Sequence, residues 1–208
     1  MRRTKAQADQ TREAVIDAAE HVFFERGVAR ATLEEVARAA GVTRGAVYWH
    51  FRDKLAVLLA IEERVTMPQD EIMLSLQQSD PRDAIGFLEQ TIKKVFDLYG
   101  SDEQRRMQLT VLLIRCDCTD EMEEVLHRQT LTTRKLTSTL RAYFQNQVHA
   151  QVRCELDPVT LADTFTALVH GAILRWLRMP EDYPLQDYGS RVVTAFFAML
   201  RASCFSKT

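Results

Sequence analysis

The sequence predicts an all-α protein of two helical domains, and three observations carry that prediction. Of its 208 residues 46% are hydrophobic, while only seven are glycine and five proline, so the chain can bury a sizeable core and has little room for long loops or many turns. Apolar residues recur at spacings of three and four, with no alternating run of the kind a half-buried strand shows. Helix starts are written as cap residues, twice followed by proline, and helix stops as glycine. No repeat or low-complexity segment interrupts the pattern.

The chain opens with a basic arm, Arg2, Arg3 and Lys5, of the kind that lies along phosphates or enters a minor groove. A first helix follows from about Ala8 to Arg26, with Val15, Ala18, Ala19, Val22 and Phe23 as its apolar stripe and Gly27 as its end. Thr32-Leu-Glu-Glu35 then has the form of a capping box: Thr32 accepts from the Glu35 amide while Glu35 reaches back. That predicts a helix from Leu33 to Ala40, with Val36, Ala37 and Ala40 on its apolar side.

Gly41 to Thr43 reads as a three-residue turn, because Gly41 can take the positive φ that ends a helix and Thr43 can cap the next one. The next helix runs from Arg44 to Phe51. On it Arg44, Gly45, Tyr48 and Trp49 share one face, and Val47 and Phe51 share the apolar opposite. Two short helices about a tight glycine turn make a helix-turn-helix, whose second helix enters the major groove. An ordinary packed pair would show Glu and Lys outside, whereas this face carries Arg, Tyr, Trp and His. Thr32, Thr43, Arg44, Gly45, Tyr48, Trp49, His50 and Lys54 are therefore the candidate DNA-binding residues. Within the set, Arg44 is suited to a bidentate guanine contact, and Thr32, Tyr48, His50 and Lys54 to phosphates.

These residues carry a resemblance. From about Thr11 to Lys54 the chain resembles the DNA-binding domain of the TetR family of bacterial transcriptional regulators. Gly41-Val-Thr-Arg-Gly-Ala-Val-Tyr-Trp-His-Phe51, followed by Lys54, is close to the family's most specific signature, above all in the AcrR-like branch that governs multidrug efflux pumps. The resemblance implies a three-helix helix-turn-helix domain over residues 1–54, a connector helix over 54–66 and a C-terminal ligand-binding and dimerisation domain over 67–208. Charge agrees in sign: residues 1–54 carry 10 Lys and Arg against 8 Asp and Glu, and the remainder is net acidic, giving −2 for the whole chain.

Asp53 caps the connector and puts Lys54 at its first position, a phosphate-binding arrangement. Leu55, Leu58, Leu59 and Ile61 carry that helix to Val65, where Pro68 disfavours helix at Met67 and predicts a break. Beyond it, Asp80-Pro81 starts a helix that Gly100 closes, Ser101 caps one running to about Cys116, and Thr119-Asp120 opens one reaching about Ala150. Asp157-Pro158 starts another that stops before Pro180, and the last runs from Leu185 to Cys204.

Inward apolar positions at helical spacing are Leu88, Ile92 and Val95; Leu109 and Leu113; Leu136 and Leu140; and Val169, His170 and Leu174. Such stripes belong to a core. The resemblance makes them the expected lining of a cavity for a hydrophobic effector, with His170 as a polar anchor. The last two helices are apolar on more than one side, through Leu161, Phe165, Leu168, Ile173 and Trp176 and through Val192, Val193, Phe196, Phe197 and Leu200. In the family such helices pair as a four-helix interface, so a homodimer on double-stranded operator DNA is expected.

Other classes fit less well. No charge-free run exceeds the 11 residues of Thr164 to Leu174, far short of the ~20 that span a bilayer, so no membrane helix and a cytoplasmic location are expected. The four cysteines, Cys116, Cys118, Cys154 and Cys204, are then expected as thiols. Cys116-Asp-Cys118 with His127 lacks zinc spacing. Arg115 could lower the Cys116 pKa but Asp117 opposes it, which leaves a thiol-redox or metal sensor on the same scaffold as the alternative. A ligand-free architectural DNA-binding protein is the third reading. No nucleophile elbow, phosphate loop or His-Glu-x-x-His helix occurs, so no catalytic residues, metal or cofactor are expected. The sequence reading is a dimeric repressor that binds a palindromic operator, which the resemblance implies belongs to a multidrug efflux operon, and leaves it when an apolar or amphipathic compound enters the C-terminal domain.

Overall fold

The computed structural model describes residues 5–77, 83–116, 123–148 and 157–205. Expectations resting on Arg2, Arg3, Asp80-Pro81, Cys118, Thr119-Asp120, Ala150 and Cys154, and on the Cys204 side chain, lie outside the described residues. Among those described the chain is helical throughout and has no strand.

It folds as two compact units, Met1–Val65 with Gln104–His127, and Thr66–Glu103 with Arg128–Thr208. This differs from a single division near residue 66. The chain crosses between units three times, so the connector helix is not the only covalent route between them.

In the first unit α1 (Lys5–Arg26) packs against α2 (Leu33–Ala39), α3 (Arg44–His50) and α4 (Lys54–Arg64). Val15, Ile16, Phe23, Val36, Val47, Val57, Leu58 and Ile61 are fully buried between them. Burial of this extent is the dominant favourable term, at about 1.5–3 kcal/mol for each large aliphatic side chain. Gly27 and Gly41 have φ of 80° and 66°, the left-handed values that let α1 and α2 end abruptly. After Gly41, Val42 N donates back to Ala37 O at 3.0 Å, closing the turn.

The same unit takes in α7 (Glu103–Leu113). Gln108 on α7 donates to the Glu20 carboxylate at 2.9 Å, Val28 N donates to Arg115 O at 3.1 Å, and the Arg106 guanidinium lies 5.9 Å from the Phe24 ring centre. Glu20 is only 1% exposed. A buried carboxylate is costly unless paired, and Arg64 at the end of α4 stands 3.5 Å away while also gripping Asp17 at 2.7 Å. Burial works against the Arg64 charge, but Asp17, Glu20 and Glu13 outweigh it and raise its pKa.

The second unit is organised on α6 (Ala84–Gly100), which packs against α5 (Pro68–Leu76), α10 (Ser190–Phe205) and the π-helical turn Leu185–Gly189. Most of α8 (Glu123–Tyr143), its π-helical extension Phe144–Val148, and α9 (Pro158–Arg178) complete it. Phe165 lies 6.2, 5.2 and 5.6 Å from the ring centres of Phe144, Phe196 and Phe197. Gly189 lets α6 come close: a Cβ there would stand 2.5 Å from the Phe96 ring.

Two expectations change here. Pro68 does not simply break the chain but starts α5, because the first turn of a helix needs no N–H from it. Ser101 does not cap the following helix; its N–H and its hydroxyl both donate to Asp97 O, at 3.1 and 2.8 Å, and close α6. Asp83 caps α6, accepting from Gly86 N at 3.0 Å.

Candidate nucleic-acid interface

The capping box at Thr32 forms as the residue types dictate. Thr32 Oγ1 accepts from Glu35 N at 3.2 Å, and Glu35 Oε2 accepts from both Thr32 N and Thr32 Oγ1, at 3.0 and 3.1 Å. The Thr32 amide, set against some desolvation, and then its hydroxyl, Arg26 and Arg38 lower the Glu35 pKa. Thr43 caps α3 by accepting from Ala46 N at 3.2 Å, which leaves its hydroxyl proton for an outside acceptor. In Thr32 that proton is already given to Glu35.

The structure brings the expected reading face together on α3. Trp49 is 79% exposed and Tyr48 43%, Arg44 and Gly45 are exposed, and Val47 and Phe51 are buried against α1 and its neighbours. A side chain added at Gly45 would meet nothing within 4 Å, so the protein itself has no need of glycine there, and helix propensity disfavours it by about 1 kcal/mol. Arg44 Nε lies 3.0 Å from Glu34 Oε1, and the guanidinium stands 5.2 Å from the Tyr48 ring centre. His50 is half-buried, its ring 6.3 Å from that of Phe51. Beside the helix runs a groove of about 580 Å³ lined by Arg30, Thr32, Glu34, Tyr48, Arg52, Asp53 and Lys54 among others.

Lys54 departs from the sequence reading. Its ammonium donates to the Val28 and Ala29 carbonyls, each at 2.8 Å, so two of its three protons hold the α1–α2 loop and one is left for a phosphate. Asp53 caps α4 as expected, accepting from Ala56 N at 2.8 Å, and pairs with Arg52.

The expected effector lining is only partly assembled. Leu88, Ile92, Val95, Leu136, Leu140 and Val169 are buried within the second unit, and Leu174 is half-buried there. Leu109 and Leu113 belong to the first unit instead. His170, expected inward, is exposed, because it sits one residue past the core position Val169 and is turned about 100° from it. A groove of about 410 Å³ within the second unit was not foreseen. Met73, Leu74 and Leu76 of α5 and Lys135, Thr139 and Tyr143 of α8 line it, with Asp70, Gln77 and Asn146. Leu74 is 56% exposed there. The signal missed was α5 itself, hidden behind Pro68. Glu20, Gln108 and Glu34 were also missed, since nothing in their spacing marks them.

Among the described residues no group of three or more His, Cys, Asp and Glu stands close enough for a metal ion, and no helix is long and apolar enough to cross a membrane.

Comparison with known proteins bears on this geometry. Residues 15–61 match the bacterial regulatory proteins of the tetR family, and residues 83–202 match the C-terminal region of MAATS-type transcriptional repressors. The HTH-type transcriptional repressor BepR of Brucella suis is 38% identical over 97% of both chains. NalD, the secondary repressor of the MexAB-OprM multidrug efflux pump in Pseudomonas aeruginosa, superposes with a TM-score of 0.81 at 28% identity, covering 94% of this chain and 98% of its own. The SmeT-triclosan complex follows at 0.75 and 32%, covering 91% of each.

Proposed function

We infer the function of this chain from its family: it belongs to the bacterial regulatory proteins of the tetR family, and it is a ligand-responsive transcriptional repressor of the kind that controls multidrug efflux. The observation that carries the DNA-reading half is the exposed face of α3, with Arg44, Tyr48 and Trp49 outward and, at position 45, a glycine that the fold itself does not require. Arg44 reads a base edge, and Thr43, Tyr48 and the remaining proton of Lys54 hold phosphates. Thr32 acts through its capping box and positions α2.

A helix-turn-helix reads successive major grooves as a pair about 34 Å apart, so the working form is a homodimer on a palindromic operator. Its interface lies on the outward sides of α9 and α10, where Thr164, Ala167, Gly171, Ala195, Ala198 and Met199 are exposed. The effector is a hydrophobic or amphipathic small molecule held in the second unit. The groove between α5 and α8 is of ligand size and its lining joins apolar Met73, Leu74 and Leu76 to Asp70 and Lys135.

Release of DNA requires the effector to favour one arrangement over another by several kcal/mol. One route runs from α6 to α4 through the backbone just beyond the connector: fully buried Tyr99 donates its hydroxyl proton to Thr66 O, one residue past the C-cap Val65. Tyr99→Phe keeps the ring and removes this tie. Operator affinity without effector is expected to stay within about twofold, and the effector concentration for half-release to rise several-fold; an unchanged release curve would exclude this route.

The assay is operator affinity by fluorescence anisotropy, with and without a panel of hydrophobic compounds that includes triclosan. Release by at least one compound, together with a co-purified small molecule in native mass spectra, supports the reading. Should only a thiol oxidant release the DNA, and Cys116→Ser abolish that release, redox sensing replaces it.

A further inference from the structure

Glu34 has no part in the capping box, which uses Glu35, and it pairs with Arg44. It stands on the groove that Arg30, Arg52 and Lys54 also line, where a carboxylate repels the phosphates those cations attract. The other acid there, Asp53, is explained by its cap on α4 and its pair with Arg52. A first-turn acid at Glu34 is favourable for α2 through the helix dipole, but any carboxylate in that turn would serve, and Glu35 already does.

The pair is also a poor source of stability. Its side chains are 66% and 42% exposed, and exposed pairs contribute little to folding because water and salt screen them. What it does is bias the orientation of Arg44. The carboxylate holds the inner Nε at 3.0 Å and the Tyr48 ring lies 5.2 Å from the guanidinium carbon, within cation–π range. A guanidinium contacted on both sides samples fewer orientations of its outer edge, which lowers the ordering cost of a bidentate contact to guanine O6 and N7. Neutralised by Glu34, the same Arg44 is weakly drawn to phosphates, which lie along every sequence alike.

We propose that Glu34 is a specificity-determining positioning residue: it pins Arg44 for guanine and suppresses attraction to DNA that lacks the operator. The proposal rests on the assignment of α3 as the reading helix. On the operator the pair is kept or shared, while on other DNA the carboxylate remains as repulsion without a base contact to offset it.

The test uses the full-length protein, a duplex selected by the wild type from a random pool, and a second duplex of equal length without the selected site. Glu34→Gln keeps the shape and removes the charge. On the second duplex its affinity is expected to rise about three- to tenfold, with a salt slope steeper by about one per protomer, while operator affinity changes less. The ratio between the two duplexes therefore falls, and a repeated pool selection loses its preference at one guanine per half-site. Melting temperature reports separately on the dipole role and is expected to move little. In an Arg44→Ala background Glu34→Gln should leave the ratio unchanged. An unaltered or higher ratio for Glu34→Gln, or an equal fall in the Arg44→Ala background, would overturn the proposal, the second result showing a bare charge effect. If the wild type selects no duplex at all, the reading helix has been misassigned and the proposal goes with it.

Discussion

Arg44→Ala is expected to lower operator affinity by a factor between about thirty and twenty thousand. Each bidentate guanine contact is worth about 1–3 kcal/mol of discrimination, two half-sites double it, and every 1.4 kcal/mol is tenfold. The fold should be unaffected, since Arg44 is exposed and its pair with Glu34 is screened. Arg44→Lys is the informative companion. It restores the charge but not the planar fork, so it should recover affinity for arbitrary DNA and leave most of the operator preference lost. Anisotropy titrations of both variants on the selected and unrelated duplexes, at one salt concentration, decide the matter. A lysine variant that keeps the operator preference would mean Arg44 acts as a point charge and the base reader lies elsewhere on α3.

The second large effect is expected at Phe197, and its nature changes with the structure in hand. From sequence, Phe197 belongs to an apolar stripe that faces a partner, and Phe197→Glu is then an interface mutation. In the structure Phe197 is fully buried, 5.6 Å from Phe165 and 5.3 Å from Phe196, ring centre to ring centre. Phe197→Ala is therefore expected to destabilise the second unit by about 3–5 kcal/mol through lost contacts and a residual cavity. Phe197→Glu should prevent it from folding, because an unpaired carboxylate would sit in an aromatic core. The interface test moves to Met199, 62% exposed on the other side of α10. Met199→Glu should leave the thermal transition nearly unchanged and weaken the dimer in sedimentation, with operator affinity falling alongside. A stable, dimeric Met199→Glu protein would place the interface on another surface.

Much of the reading site was legible in the residues themselves, because its geometry is local. The capping box at Thr32 and Glu35, the left-handed turn at Gly41, the cap at Thr43 and the split of α3 into an exposed and a buried face all follow from backbone chemistry within a few residues. The same holds for Asp157-Pro158 at the start of α9. Where a signal served two purposes, it misled: Pro68 ends one helix and begins the next, and Ser101 closes α6 where a cap for α7 was expected.

What the sequence by itself determined, then, is the helical class, the helix-turn-helix and its outward side chains, since each depends on contacts no more than a turn or two apart. Only the tertiary structure decided which apolar faces are core, that α7 belongs with the reading unit, that His170 looks outward, and that Glu34, Lys54 and Glu20 have the partners they do. An apolar stripe reports that a face will be buried without saying against what. A buried carboxylate such as Glu20 is tolerated because Gln108, 88 residues away, and Arg64 at the far end of α4 both come to meet it, and sequence spacing has no term for partners that distant.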